Sequence, residues 1–294
     1  MSRYPSRTKS SHPDETRALA PGLYVTATPI GNSTDITLRA LDVLAKADLV
    51  LCEDTRVTAK LLSLHGIAAR TAPYHDHNAA KVRPEILEKL ENGATIALVS
   101  DAGTPTIADP GYKLIREAIA RGITVTALPG PSAVIAALTI SGLPTDRFLF
   151  AGFAPPKSSG RRAWLKDLAG VDATVVYYES PKRLADSLAD AAKLLGDRPA
   201  AVARELTKLF EEVRRGPLSE LSAQYAEVGA PKGEIVIVIG PPEGRPGAEI
   251  DLDAALRKAL ESKSLKEAVA MVAAETGLPR REVYARALAL KTKP

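Results

Sequence analysis

Several short stretches of this chain combine proton-handling and ligand-handling side chains with turn-forming glycine and proline. The first is Thr28-Pro29-Ile30-Gly31-Asn32, followed by Asp35. Gly31 and Asn32 both tolerate positive φ, so this turn can present backbone N–H groups beside a helix start. A plain strand-to-helix connection capped by Asn32, Ser33 or Thr34 fits the same residues. The second is Ser100-Asp101-Ala102-Gly103-Thr104-Pro105, which runs on through Ile107 to Asp109-Pro110-Gly111. Small residues there allow close backbone approach, and a carboxylate can accept from an amine or a ribose hydroxyl. Asp109 before Pro110 reads as a structural N-cap with proline at the first helical position. The third, Leu128-Pro129-Gly130-Pro131-Ser132-Ala133, opens onto a helix that Ser132 could cap. Two later stretches place an acid at a strand end with a lysine three residues on: Glu179 with Lys182, and Glu205, after Arg204, with Lys208. That spacing lets acid and amine meet on one helical face, as an ion pair or as a proton-transfer pair.

Other chemistries lack their residues. There is no G-x-G-x-x-G after the first strand pattern and no G-x-x-x-x-G-K-[ST], which excludes the common dinucleotide and P-loop signatures. His75 and His77 would share one face of an extended segment, but no third histidine or cysteine cluster supports a metal, so a polar loop is expected. The single cysteine, Cys52, reads as a small core residue and excludes an internal disulfide framework. Trp164 reads as packing on a helix beginning near Arg162.

The elements that must position these loops alternate along 294 residues that are 45% hydrophobic and 25% charged. Strand patterns fall at 23–27, 48–52, 95–99, 123–128, 147–151, 173–178, 200–204 and 234–239. Helical patterns lie between them at 35–46, 82–91, 110–121, 133–141 and 181–195. This predicts α/β layering with a largely parallel sheet, in two α/β domains, 21–130 and 131–242. A linker over 243–250 leads to a small helical domain, 251–294, with helices over 251–261, 264–276 and 280–290. Ser264 and Glu267 form a capping box there, and Val283, Ala287 and Leu290 form the buried face of the last helix. A short glycine-containing turn between helices resembles a helix-turn-helix.

The net charge of +4 lies wholly in the two ends. Residues 1–20 are polar and lack the apolar stretch of a secretory signal, so a flexible tail and a cytoplasmic location are expected. No apolar run approaches the ~20 residues that span a bilayer, so no membrane partner is expected.

In order, TPIGN, CEDTR, VSDAGTP with DPG, LPGPSA, YESPKR, RELTK and GEIVIVI resemble the tetrapyrrole-methylase-like, S-adenosylmethionine-dependent methyltransferases. Within that superfamily the set is similar to the branch that acts on small-subunit ribosomal RNA, over roughly residues 22–290. The resemblance implies a cleft between the two domains that holds S-adenosylmethionine. It implies 2′-O-methylation of a cytidine in the decoding region of 16S rRNA, with the small ribosomal subunit as partner, and a homodimer. The cofactor loops of the family map onto Pro29, Asp101, Ala102, Gly103, Thr104, Ile107, Ser132 and Ala133. Phe153, Leu206 and Gly233 would close the pocket from the second domain.

Methyl transfer from a sulfonium is an in-line displacement that needs an oriented oxygen. A base, or a cation beside the developing alkoxide, would assist it. Glu179, Lys182, Arg204, Glu205 and Lys208 are the candidates from the second domain; Glu53, Asp54 and Arg56 face the cleft from the first. The basic run Lys157, Arg161, Arg162, Lys166 is expected to touch RNA phosphates, with Ser158-Ser159-Gly160 making it mobile; a solvated loop is the other reading. The alternatives in function are a C-methyltransferase acting on a tetrapyrrole precursor and a non-catalytic RNA- or ligand-binding module.

Overall fold

The computed structural model describes residues 18–242, 252–261, 263–276 and 278–291. The expected linker, Gly277 and most of the expected N-terminal tail lie outside the described residues. The chain divides into two compact units after Ala133, and each is described by itself.

The first unit runs β1 (Gly22–Thr26), a 3-10 turn (Ser33–Asp35), α1 (Leu38–Lys46), β2 (Leu49–Cys52), α2 (Thr55–Leu64) and β3 (Thr71–Pro73). It continues through α3 (Ala79–Glu91), β4 (Thr95–Val99), α4 (Tyr112–Ala120) and β5 (Val125–Leu128). The strands form one sheet in the order β3-β2-β4-β1-β5, parallel throughout. Alternation along the strands separates two cores. Leu49, Leu51, Ile96 and Leu98 pack against Leu87 and Leu90 of α3 and Leu114 of α4. Val50, Cys52, Ala97 and Val99 face Val43 and Leu44 of α1 and Leu62 of α2. Covering on both faces is what a parallel sheet of this kind requires, and Cys52 is a wholly buried part of it. Helix α4 starts later than expected. Its N-cap is Gly111 at φ 132°, so Asp109 and Pro110 lie before the helix and do not cap it. A Cβ at Gly111 would stand 2.8 Å from Leu98, so the chain must pass tightly over the core before the helix can begin.

The second unit opens with α5 (Ala133–Ser141), which straddles the division, then β6 (Phe148–Phe153), α6 (Ser158–Leu168), β7 (Thr174–Glu179) and a 3-10 turn (Pro181–Arg183). There follow α7 (Leu184–Leu195), β8 (Pro199–Arg204), β9 (Glu212–Pro217), α8 (Leu218–Val228) and β10 (Ile235–Ile239). Its sheet order is β6-β7-β10-β8-β9. Only β6 and β7 run parallel; the other three pairings are antiparallel, which corrects the expectation of a largely parallel sheet. The cause is β9, which returns directly from β8 as a hairpin. Its sequence, EVRRGP, carries charge where an apolar alternation would announce a strand.

Helix α6 corrects a second expectation. Ser158-Ser159-Gly160 form its first turn, not a mobile loop. Arg161 on that helix is 4% exposed and donates through Nε (2.9 Å) and a terminal nitrogen (2.7 Å) to Asp190 of α7. Arg162 Nε reaches the other Asp190 oxygen at 2.8 Å. Burial works to raise the Asp190 carboxyl, but the two guanidiniums outweigh it and hold the group below its ordinary value. Trp164 packs edge-on to Tyr177, ring centroids 5.2 Å apart, beside the core of α6, α7 and α8.

The tail forms α9 (Leu252–Leu260), α10 (Leu265–Thr276) and α11 (Arg280–Lys291). The capping box is present: Glu267 Oε2 accepts from Ser264 N at 3.0 Å, and Ser264 Oγ accepts from Glu267 N at 3.4 Å. No helix among the described residues is long and apolar enough to cross a membrane.

Removing a charge from a buried pair strands its partner, whereas exposed pairs contribute little. Asp190→Asn should therefore cost about 3–5 kcal/mol in urea unfolding. Glu85→Gln, which breaks the exposed pair with Lys89, should cost far less than Asp190→Asn. Equal losses would show that Asp190 is solvated.

Candidate functional site

In the first unit the loops that leave the parallel strands lie side by side in strand order. Beyond β3 comes His75-Asp76, beyond β2 Glu53-Asp54, beyond β4 the 100–109 loop, beyond β1 Thr28-Pro29, and beyond β5 the 129–133 turn. Hydrogen bonds lace them together. Thr28 N donates to Gly103 O at 2.8 Å, and Gly103 N returns a bond to Thr28 O at 3.0 Å. Thr28 Oγ1 donates to Ser100 O at 3.0 Å, and Thr104 Oγ1 to Pro131 O at 3.0 Å. Asp54 N donates to Asp101 Oδ1 at 3.0 Å, which ties the start of α2 to the same loop. The predicted group Pro29, Asp101, Ala102, Gly103, Thr104, Ser132 and Ala133 is thus carried on neighbouring, mutually bonded turns. Ile107 lies further along the second turn, with its side chain exposed.

Two glycines set the approach of these turns. A Cβ at Gly130 would stand 2.9 Å from the Ala27 Cβ, and Gly103 sits at φ 84° with Ile30 against it. Thr106 and Ala108 also have left-handed backbone, at φ 73° and 65°, which costs of order 1–3 kcal/mol at non-glycine residues.

The charges here are mostly acidic. Asp54 caps α2 and is paired with Arg56, whose hydrogen bonds hold the carboxyl down at about 2. Arg56 itself is 88% exposed along its side chain. Glu53 is pushed up by partial burial and by Asp101 and Asp76, with His75 acting against them. Asp109 is pushed up to about 6, first by burial and then by Glu53 and Asp101, against a hydrogen bond from Ser100. Sequence reasoning assigned Asp109 a structural role because Asp-Pro resembles a helix start; nothing in the sequence showed that it folds back toward Glu53. The His75 and His77 rings lie 6.0 Å apart, and no group of three or more His, Cys, Asp or Glu among the described residues could hold a metal.

In the second unit one end of the sheet gathers the other motifs. Ile235, the first residue of β10, pairs with Glu179 at the end of β7 and with Arg204 at the end of β8. Phe153 pairs with Tyr178, and their ring centroids are 4.9 Å apart. Glu205 Oε1 accepts from Lys208 Nζ at 2.9 Å and from Glu234 N at 3.0 Å; Lys208 Nζ also reaches Glu234 Oε2 at 2.7 Å. The Lys208 hydrogen bond holds the Glu205 carboxyl below its ordinary value. Burial opposes the Lys208 charge, but the two carboxylates outweigh it and hold the ammonium above its own. The pair is held in its charged form. Gly233, at φ 104°, lets this happen, because a Cβ there would overlap the Glu205 carboxylate. Glu205 and Thr207 are themselves left-handed, at φ 49° and 65°, and Leu206 between them is buried.

The other acid–lysine pair does not form. Glu179 Oε1 accepts from Ser180 N at 2.6 Å and from Arg183 Nε at 2.9 Å, so the partner is Arg183, and Lys182 is left exposed. Glu179 Oε2 is buried with no hydrogen-bond partner. Arg204 is held by Glu212 Oε2 at 3.1 Å and Lys232 O at 3.2 Å. Arg161 is withdrawn to Asp190, so of the basic run Lys157, Arg162 and Lys166 stand exposed, with Arg162 ion-paired.

Residues 22–222 match the family described as Tetrapyrrole (Corrin/Porphyrin) Methylases, and residues 246–291 match the RsmI C-terminal HTH domain. A Ribosomal RNA small subunit methyltransferase I from Mesorhizobium japonicum is 50% identical over 276 residues, 94% of each chain. The protein of that name from Escherichia coli O157:H7 is 46% identical over 272 residues, covering 90% of this chain and 94% of its own. Among solved structures, a uroporphyrin-III-C-methyltransferase from Thermus thermophilus superposes with TM-score 0.54 at 20% identity, over 75% of this chain and 94% of that one. A diphthine synthase does so with TM-score 0.58 at 17% identity, over 74% and 89%. At such identities these two show the fold alone.

The raised Asp109 carboxyl gives a stability signature. Its folded value, about 6, lies above the ordinary 3.8, so its favourable contribution is complete below about pH 4 and is lost as pH rises through 6. Asp109→Asn mimics the neutral form. Thermal melts should show the variant stabilised relative to the parent at pH 8 and not at pH 4. The same difference at both values would place Asp109 in water.

Proposed function

The chain belongs to the tetrapyrrole (corrin/porphyrin) methylase family, and on that premise we propose that it transfers a methyl group from S-adenosylmethionine to the 2′-oxygen of a cytidine in the decoding region of 16S rRNA. The observation that carries the reading is the lacing of the three strand-end turns around Thr28 and Gly103. It presents close backbone and an acidic flank in a methylase fold. Relatives of nearly the same length, named for small-subunit ribosomal RNA, point to the acceptor.

These residues fit the cofactor. Gly103 allows close approach, and Asp101 can accept from an amine or a ribose hydroxyl with the oxygen not turned toward Asp54. Glu53, Asp101 and Asp109 repel one another, so a cationic ligand relieves that repulsion. S-adenosylmethionine supplies a methyl group on a sulfonium, ready for displacement by an oriented oxygen. Asp109 is ionised at neutral pH yet more basic than an ordinary carboxylate, which suits it to take up the proton of a ribose hydroxyl. Lys182 is an exposed cation at the motif end of the second sheet, suited to a phosphate or a developing alkoxide. Glu205, Lys208 and Arg204 hold the loop, and Glu179 anchors the turn that carries Lys182. The reading includes a homodimer, since the edge strand β6 leaves Phe148 and Leu149 exposed.

Labelled-methyl transfer tests it. Small subunits that lack the modification should be methylated, and a tetrapyrrole precursor should not; incorporation only into the tetrapyrrole overturns the reading. Gly103→Val should abolish S-adenosylmethionine binding in calorimetry while the far-ultraviolet spectrum stays unchanged, because a β-branched residue is strained at φ 84°. Undiminished binding removes the loop from the site.

A further inference from the structure

The tail helices are built around a core of their own, with Leu256, Val269, Val272, Val283 and Ala287 buried. On α11 the inward stripe is Val283, Ala287 and Leu290. At 3.6 residues per turn, Arg280, Tyr284, Leu288 and Arg281 fall beside it within an arc of about 100°. All four are exposed, Tyr284 at 45% and Leu288 at 42%. The charged residues Glu282 and Arg286 lie off this arc. Arg286 is engaged, its guanidinium making two 2.6 Å contacts to Asp253. No ion pair to Arg280 or Arg281 is found among the described side chains. The arc therefore joins two exposed guanidiniums to an exposed aromatic ring.

We propose that this arc of α11 docks small-subunit ribosomal RNA, with Arg280 and Arg281 on the phosphate backbone and Tyr284 against an unpaired base. The inference rests on the function proposed above. Charge selects the occupant: the arc carries Arg280 and Arg281 and no acid, and the proposed substrate is a polyanion. Exposed aromatics beside arginines also suit unstacked bases, which offer a flat face to stack on. A separate docking surface is needed because one nucleotide in a pocket cannot identify one position in a ribosomal subunit.

The test uses the full chain, with the parent, the double variant Arg280→Ala/Arg281→Ala, and Tyr284→Ala compared on small subunits lacking the modification. The double variant should lower the slope of log affinity against log salt by about 1.5, the loss of two phosphate contacts. It should raise the KM for subunits while leaving kcat at saturation and S-adenosylmethionine affinity unchanged. Tyr284→Ala should weaken subunit binding with the salt slope preserved. If the parent methylates small subunits and both variants match its slope and KM, this inference fails and the function stands. A shift in sedimentation of either variant overturns it by showing that the arc joins copies of the chain. A parent that neither binds nor methylates small subunits overturns the function and this inference together.

Discussion

Where a strand leaves a sheet, its N–H and C=O groups lose their ladder partners and must be satisfied elsewhere or stay in water. Thr28 and Gly103 settle this for each other by exchanging two hydrogen bonds across the ends of β1 and β4. The neighbouring turns take their position from that exchange. Ser100 is held by the Thr28 hydroxyl, Pro131 by Thr104, and the start of α2 by Asp101. Parallel strands stand about 4.8 Å apart, so turns fastened this way present their backbones at a spacing fixed by the sheet. The acids at Glu53, Asp101 and Asp109 are consequently held closer than free carboxylates would choose, and Glu53 and Asp109 are pushed up, first by burial and then by their acidic neighbours.

The second unit reaches rigidity by another route. Its motif end is fixed by charge, with Glu205 shared between Lys208 and the Glu234 amide, Arg204 held by Glu212, and Glu179 turned to Arg183. All four non-glycine residues with left-handed backbone among those described, Thr106, Ala108, Glu205 and Thr207, lie in loops from the two motif sets. Strained backbone persists only where its surroundings over-determine it, and it concentrates at ligand-handling turns. The two sets share that property although one is laced by backbone bonds and the other by ion pairs.

The sequence was most legible where apolar pattern and position agree. The central strands of both sheets have continuous buried runs, and the tail announced its capping box at Ser264–Glu267 and its inward face at Val283, Ala287 and Leu290. Legibility failed where long-range pairing decides. Strand β3 has three residues and β9 is charged, so neither carries a period, and without β9 the second sheet looks parallel. Lys157, Arg161, Arg162 and Lys166 read as one basic run, yet the turn of α6 sends Arg161 inward to an acid 29 positions away. Asp109 carried a capping signal that Gly111 takes over, and its acidic surroundings exist only after the chain folds back. The strand-end loops themselves were visible, because glycine and proline mark turns locally; the bonds between them join positions far apart.

The small residues that fill the tail's core have an energetic consequence of their own. Alanine and valine let α9, α10 and α11 approach closely, but each removes little apolar surface from water. About forty residues with so thin an interior lie near the lower size limit for independent folding. Such a segment is expected to open at a lower free energy than the two sheets, its amides exchanging with solvent hydrogen first. Whatever binds its folded form then adds directly to its stability, so its melting reports on occupancy more sensitively than that of either sheet.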